Sequence, residues 1–277
     1  MNRSDLLIEA DELATIIGDE KLRIFDATVV FDPNAESAKA RYLKAHIPGA
    51  VFLDHNSLSR SDTDLMYMLP AEAELADKIG AIGVSNDTSV VVYSTDMIGW
   101  ATRIWWVLKY AGHSNIRVLN GGIQAWQGEL QSEENSYEPG VFTASLSPDM
   151  FASKEEVLEI IKSGSSCVVN TLPQEIYQGE AGTPYDGHIS GSVNHSMMDM
   201  MDGFSMKSDE ALKAYFAEKN INKRLITYCG GGIAATVNAC AAKLAGIEDV
   251  AVYDGSMTEW LTEGLPVTTG AETGSIT

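Results

Sequence analysis

The sequence predicts an α/β fold in which two domains of one kind follow each other, each a parallel sheet flanked by helices. Three observations carry the prediction. Short apolar, β-branched runs alternate along the 277 residues with segments of helical composition, the order that builds parallel sheets. The second half repeats the first, and from Thr102/Thr236 to Trp126/Trp260 the match holds at a constant offset of 134 residues without a gap, the mark of an internal duplication. A polar, proline-containing stretch, Glu129 to Asp149, separates the copies and has linker composition. The boundaries follow as 1–130 for the first domain, 131–150 for the linker and 151–277 for the second domain.

In chain order, Ala10 to Gly18 reads as a short amphipathic helix and Leu22 to Ala27 as a buried strand containing Asp26. Ala35 to Lys44 reads as a helix leading into Ala45-His46-Ile47-Pro48-Gly49-Ala50. Leu69-Pro70 opens a helix running to about Ile82, because proline suits a first helical turn. Ser89 to Tyr93 is an unbroken apolar run, as in a central strand covered on both faces. Ile98 to Tyr110 is a helix closed by Ala111-Gly112, Ile116 to Leu119 a strand, and Asn120-Gly121-Gly122 opens a short helix through Trp126.

The second copy starts near Ser153, an N-cap with Glu156 at the third helical position. Cys167 to Asn170 is its first strand. Gly187-His188-Ile189-Ser190-Gly191-Ser192 echoes Ala45 to Ala50, and Val252-Tyr253-Asp254-Gly255-Ser256 echoes Val118 to Gly122. His46 and His188, present in both copies, read as scaffold. In the first copy Trp100, Arg103, Trp105 and Trp106 are candidates for an interface or a core.

One stretch differs between the copies. Leu225 to Tyr228 reads as a strand, Cys229-Gly230-Gly231-Gly232 as a tight loop, and Ile233 to Ala245 as a helix stopped by Gly246. A residue delivered to a helix N-terminus meets unpaired backbone N–H groups and the positive end of the helix dipole. Anions bind there, and a cysteine sulfur placed there is favoured as thiolate. Glycines without a Cβ let the loop curl and turn its N–H groups inward. The first copy has Ser94 at this position, in a loop one residue longer.

The formal net charge is −20, which argues against nucleic acid or an anionic membrane as partner. Cys167, Cys229 and Cys240 are too few and too scattered for a disulfide framework or a zinc site, so no metal and no cofactor is expected. No stretch has signal-peptide or membrane-span character, and the chain reads as cytoplasmic.

Taken together, the tandem domains, the His-Ile-x-Gly-Ala/Ser segment in each, the Gly-Gly/Gly-Ser-x-x-x-Trp end in each and the six-residue Cys229–Ala234 loop in the second alone resemble the two-domain rhodanese family. Its members are thiosulfate or 3-mercaptopyruvate sulfurtransferases, and the resemblance spans about Asp5 to Val267. It implies Cys229 as the nucleophile that carries a sulfane sulfur as a persulfide. It implies Gly230, Gly231, Gly232, Ile233 and Ala234 as the cradle that binds substrate. It implies a small-molecule sulfur donor and, as acceptor, cyanide or a thiol, the latter small or on a protein. The first domain would be catalytically silent and would wall the cleft. Cys167 and Cys240 would be buried and inert.

The chain departs from the family where the donor's charge is held. Thiosulfate-type members carry cations in the loop, where this chain has Gly230 and Gly231. Mercaptopyruvate-type members open the loop Cys-Gly, as here, with a hydroxyl residue in place of Gly231. Both types place an arginine before the His-Ile segment. Gln174 to Asp186 contains none, and Ile176 and Tyr185 fall at the sites to examine. The family's first-strand Asp and following Arg are Asn170 and Leu172 here. A cysteine phosphatase would need an arginine to clamp phosphoryl oxygens, and none follows Arg224. The remaining alternative is a non-catalytic or sulfur-relay module with degenerate donor recognition.

Overall fold

The computed structural model describes residues 1–165, 167–221 and 223–276. The first half runs β1 (Leu7–Ile8), α1 (Ala10–Ile16), β2 (Leu22–Asp26), α2 (Ala38–Lys44), β3 (Val51–Phe52), α3 (Glu72–Ala81), β4 (Ser89–Tyr93), α4 (Gly99–Tyr110), β5 (Ile116–Leu119) and α5 (Gly122–Ala125). The second runs β6 (Phe151–Ala152), α6 (Lys154–Ser163), β7 (Cys167–Asn170), α7 (Gln174–Tyr177), β8 (His188–Ile189), β9 (Val193–Asn194), β10 (Met201–Asp202), β11 (Ser205–Met206), α8 (Asp209–Glu218), β12 (Leu225–Tyr228), α9 (Ala235–Leu244), β13 (Val250–Tyr253), α10 (Ser256–Thr262) and β14 (Val267–Thr268). Each half holds one five-stranded sheet, ordered β1-β5-β4-β2-β3 and β6-β13-β12-β7-β9. Every pairing in both is parallel, and the two orders superimpose under the repeat. β12 is the middle strand of its sheet and all four of its residues are buried, so its C-terminal end opens at the position where open α/β sheets take their ligands.

Local chemistry sets the element ends, and several differ from the sequence expectation. α2 starts at Ala38 rather than Ala35, because Ser37 Oγ accepts the Ala40 N–H and fixes the cap there. Pro70 lies outside α3, which starts at Glu72; the preceding Leu69 N–H is committed to Asp254 Oδ2 at 2.9 Å, and a residue before proline is held extended. α9 starts at Ala235 rather than Ile233, since Gly232 takes φ +73° and breaks helical continuity just upstream. α5 ends at Ala125, with Trp126 as its cap. At α6, Ser153 caps the Glu156 N–H at 3.2 Å as expected.

The stretch from Glu129 to Asp149 is pinned along the first half. Gln131 exchanges backbone hydrogen bonds with His46 at 2.8 Å, and Tyr137 Oη accepts from Ile24 N and donates to Gly49 O. His46 and His188 are fully buried; each bonds through Nδ1 to the carbonyl of a tyrosine on which it stacks, Tyr42 and Tyr177 respectively. Both histidines are scaffold.

The halves join through α4 and α9. Thr102 Oγ1 and Thr236 Oγ1, equivalent positions of the repeat, lie 2.7 Å apart in a buried hydrogen bond. Trp105 and Trp106 are core, with indole N–H groups bonded to Ile116 O and Met150 O. Arg103 is interface. It is 2 % exposed and donates to Tyr67 O at 2.6 Å and to Gly232 O at 3.3 Å. Its Nη1 lies 2.7 Å from Asp254 Oδ1. Removing one member of a buried ion pair strands the other charge, at a cost of about 3–5 kcal/mol. Asp254→Ala should therefore lower unfolding free energy by about that amount in urea titration, and the Arg103→Met/Asp254→Leu double variant by clearly less. A loss below about 1 kcal/mol in the single variant, no more than an exposed pair gives, would show that this pair does not hold the halves together.

Candidate active site

Because β12 is buried along its whole length, the chain leaves the sheet in a fixed direction and Cys229 follows at once, 2 % exposed. The loop is then tied down from below. Met257 N donates to Cys229 O at 3.0 Å, and Gly230 O accepts from both Thr258 N at 3.0 Å and Thr258 Oγ1 at 2.8 Å. Each glycine has its own reason. At Gly232 a Cβ would meet Asp254 O at 2.6 Å and Arg103 Nη1 at 3.2 Å, on a backbone already at positive φ. At Gly230 it would clash with the Tyr185 hydroxyl. At Gly231 it would meet nothing within 4 Å.

Ser256 completes the loop, and the sequence reading overlooked it. Its Oγ accepts the N–H groups of Cys229 and Gly232, each at 3.1 Å, and donates to Tyr253 O at 2.8 Å. Its φ is +50°, a left-handed conformation that costs a non-glycine residue on the order of 1–3 kcal/mol and persists only where the surroundings enforce it. The repeat held the clue: the equivalent residue in the first half is Gly122, at φ +59°, so a serine has replaced a glycine where only a glycine is unstrained.

With the Gly232 N–H turned to Ser256, the backbone N–H groups of Gly230, Gly231, Ile233 and Ala234 have no acceptor among the described residues. They sit at the N-terminus of α9, where the dipole favours negative charge. Cys229, Gly230, Gly231, Ile233 and Ala234 all border one cavity of about 250 Å³. Gly232, also expected in the cradle, does not line the cavity, and its N–H is bonded to Ser256 Oγ.

The first half supplies the opposite wall through Phe31, Met66, Tyr67, Met97 and Trp100, and the second adds Leu172, Pro173, Tyr185 and Met197. No lining residue carries a charge. Of the two positions examined for a donor-binding arginine, Tyr185 lines the cavity and Ile176 does not. Burial pushes the Tyr185 phenol up, so it stands there as a neutral hydrogen-bond donor. Asn170, in place of the acid, is fully buried and accepts the Leu172 N–H at 2.8 Å. In the first half the Ser94 hydroxyl, 3 % exposed, donates to Met97 O and is thereby committed to its own loop. Cys240 is fully buried on α9 and its thiol is pushed up by burial. Cys167 is half-buried rather than buried, and burial raises it too. Among the described residues no group of three or more His, Cys, Asp or Glu side chains is placed to hold a metal ion.

Known proteins resemble this chain. The Rhodanese-like domain family matches residues 9–129 and 153–263. Thiosulfate sulfurtransferase of Bos taurus is 40 % identical over 261 residues, covering 89 % of this chain and 87 % of that protein. 3-Mercaptopyruvate sulfurtransferase of Mus musculus is 32 % identical over 269 residues, covering 93 % and 91 %. The crystal structure of a 3-mercaptopyruvate sulfotransferase from Escherichia coli superimposes with a TM-score of 0.83 at 27 % identity, covering 92 % of this chain and 99 % of that one. Two matched domains, a cysteine loop in the second alone and relatives alike over nearly their full length place the chain in the rhodanese family.

Proposed function

We propose that this protein is a sulfurtransferase. The Cys229 thiolate attacks the transferable sulfur of a small donor, the outer sulfur of thiosulfate or the thiol sulfur of 3-mercaptopyruvate. The bond from that sulfur to the donor's remainder breaks, and the electron pair leaves with that remainder, as sulfite or as the enolate of pyruvate, which takes up a proton. The persulfide on Cys229 then passes its outer sulfur to a thiol or cyanide. The observation that supports this most directly is the set of backbone N–H groups of Gly230, Gly231, Ile233 and Ala234, without acceptor among the described residues, that border the same cavity as Cys229 ahead of α9. Both resting thiolate and persulfide carry negative charge on sulfur, and preorganised donors stabilise such charge without reorganising. Relatives named as sulfurtransferases agree with it and disfavour a purely non-catalytic role.

The two donors named in those relatives make different demands. Thiosulfate is a dianion, and no cation lines the cavity. 3-Mercaptopyruvate carries one charge, and the loop opens Cys229-Gly230 as in proteins that use it. Mercaptopyruvate is therefore the better donor in this reading, despite the higher identity to thiosulfate enzymes.

Incubation with either donor followed by mass analysis should show one added sulfur on Cys229. Cys229→Ser should lose transfer while keeping its melting temperature, whereas Cys167→Ser and Cys240→Ser keep transfer. Equal loss in all three overturns the assignment. In the loop, Gly231→Ala should be tolerated, because its Cβ meets open space, whereas Gly232→Ala should destabilise by roughly 1–3 kcal/mol and depress activity. Gly231→Arg should raise kcat/KM for thiosulfate relative to mercaptopyruvate by roughly tenfold to a hundredfold through a charge-assisted contact. An unchanged donor ratio in Gly231→Arg, with Gly231→Ala active, would show that loop charge does not set donor choice.

A further inference from the structure

We propose that the acceptor that takes sulfur from Cys229 is an uncharged thiol with an apolar, ring-sized substituent, seated against Phe31, Met66, Tyr67, Met97, Trp100 and Ile233. The inference rests on the sulfurtransferase reading and goes beyond it by naming the acceptor's chemistry.

Four observations carry it. The wall facing the loop is aromatic and thioether-rich; Trp100, 4 % exposed, clusters with Tyr67 and the loop's own Ile233, 6 % exposed, whereas Phe31 and Met66 at the rim are 64 % and 57 % exposed. Trp100 packs edge-on against Tyr67 and His55, with ring centroids 6.0 and 5.2 Å away, so the back of the wall is rigid. Thioether sulfur is polarizable and gives favourable contacts to aromatic rings. Second, the cation that approaches the loop, Arg103, is sealed behind it and engaged by Tyr67 O, Gly232 O and Asp254. Third, the cavity's polar side chains are neutral hydroxyls, Thr171, Thr258 and the Tyr185 phenol beside Gly230, the last a donor suited to a sulfur atom. Fourth, the whole chain carries a net charge of −20, which disfavours the approach of a second anion.

These features matter most in the second half of the reaction. The loaded enzyme carries its negative charge on the outer sulfur, inside an apolar cavity where repulsion between like charges is weakly screened. A neutral thiol brings its own proton and adds no charge. Its sulfur bonds to the outer sulfur as the bond from that sulfur to Cys229 Sγ breaks. The electron pair stays on Sγ, the thiol proton moves to the transferred sulfur, and R–SH plus Cys229–S–S⁻ becomes R–S–SH plus Cys229–S⁻. The cradle holds one negative charge throughout.

The test separates this inference from the reading beneath it. The protein is loaded with excess 3-mercaptopyruvate, freed of donor, and the Cys229 persulfide is verified by mass. Its discharge is then timed with 2-phenylethanethiol and with 2-mercaptoethanesulfonate, each rate divided by that thiol's rate with free cysteine persulfide. The phenyl thiol should be faster by roughly tenfold or more, the worth of burying part of a ring. Met66→Lys, at an exposed rim position, should narrow or reverse that ratio. If no persulfide forms, the sulfurtransferase reading falls and takes this inference with it. If persulfide forms and the two normalised rates are equal, or if Met66→Lys leaves the ratio unchanged, the acceptor class alone is overturned.

Discussion

Arg103 reaches three groups from a buried position on α4: the carbonyl of Tyr67 in its own half, and the carbonyl of Gly232 and the carboxylate of Asp254 in the other. Asp254 in turn accepts the Leu69 N–H, and its own carbonyl closes the space where a Gly232 side chain would stand. Cleft wall, Cys229 loop and domain interface therefore share one guanidinium. An isolated buried charge is expensive, so the arrangement is stable only while every partner is in place. Loop geometry is thereby tied to the relative position of the two halves.

The loop itself concentrates strain and its compensation in neighbouring residues. Gly232 takes a left-handed conformation that glycine adopts without penalty, and Ser256 takes one that serine does not. The hydroxyl of Ser256 offsets that strain with three hydrogen bonds, two of them from the loop. The outcome is a division of labour among the loop's N–H groups. That of Gly232 is spent on holding shape, and its neighbours stay available to an anion. The dipole of α9 and those N–H groups are then the positive elements facing the cavity, whose side chains are neutral.

How far the sequence reveals this depends on the range of the interaction. The alternating elements, the repeat and the Cys229 loop are written in contiguous residues, and the expectation of tandem α/β domains with parallel sheets agrees with the structure. Element starts governed by a cap read well at Ser153. They fail at Pro70, where a contact to Asp254 holds the chain extended, and at Ile233, where the φ of Gly232 delays the helix. The role of Ser256 is hidden because its meaning is a backbone angle; comparison with Gly122 would have exposed it. The wall built by Phe31, Met66, Tyr67 and Trp100 lies more than a hundred residues from Cys229 in sequence, and no local pattern marks side chains that meet only when two domains dock. Tyr185 shows the middle case: the missing arginine flagged its position, while its place over Gly230 required coordinates.

Thr102 and Thr236 occupy the same position in the two copies and touch each other. A residue that meets its own counterpart sits on a twofold axis, as at the centre of an isologous dimer. The chain is in effect a symmetric dimer whose subunits share one backbone. In a true homodimer every substitution appears twice, so a wall and a nucleophile cannot be improved separately. Fusion lifts that restriction. One copy can carry Ser94 where the other carries Cys229 and line the other's loop with its side chains, so the chain has a single asymmetric cleft in place of two identical ones.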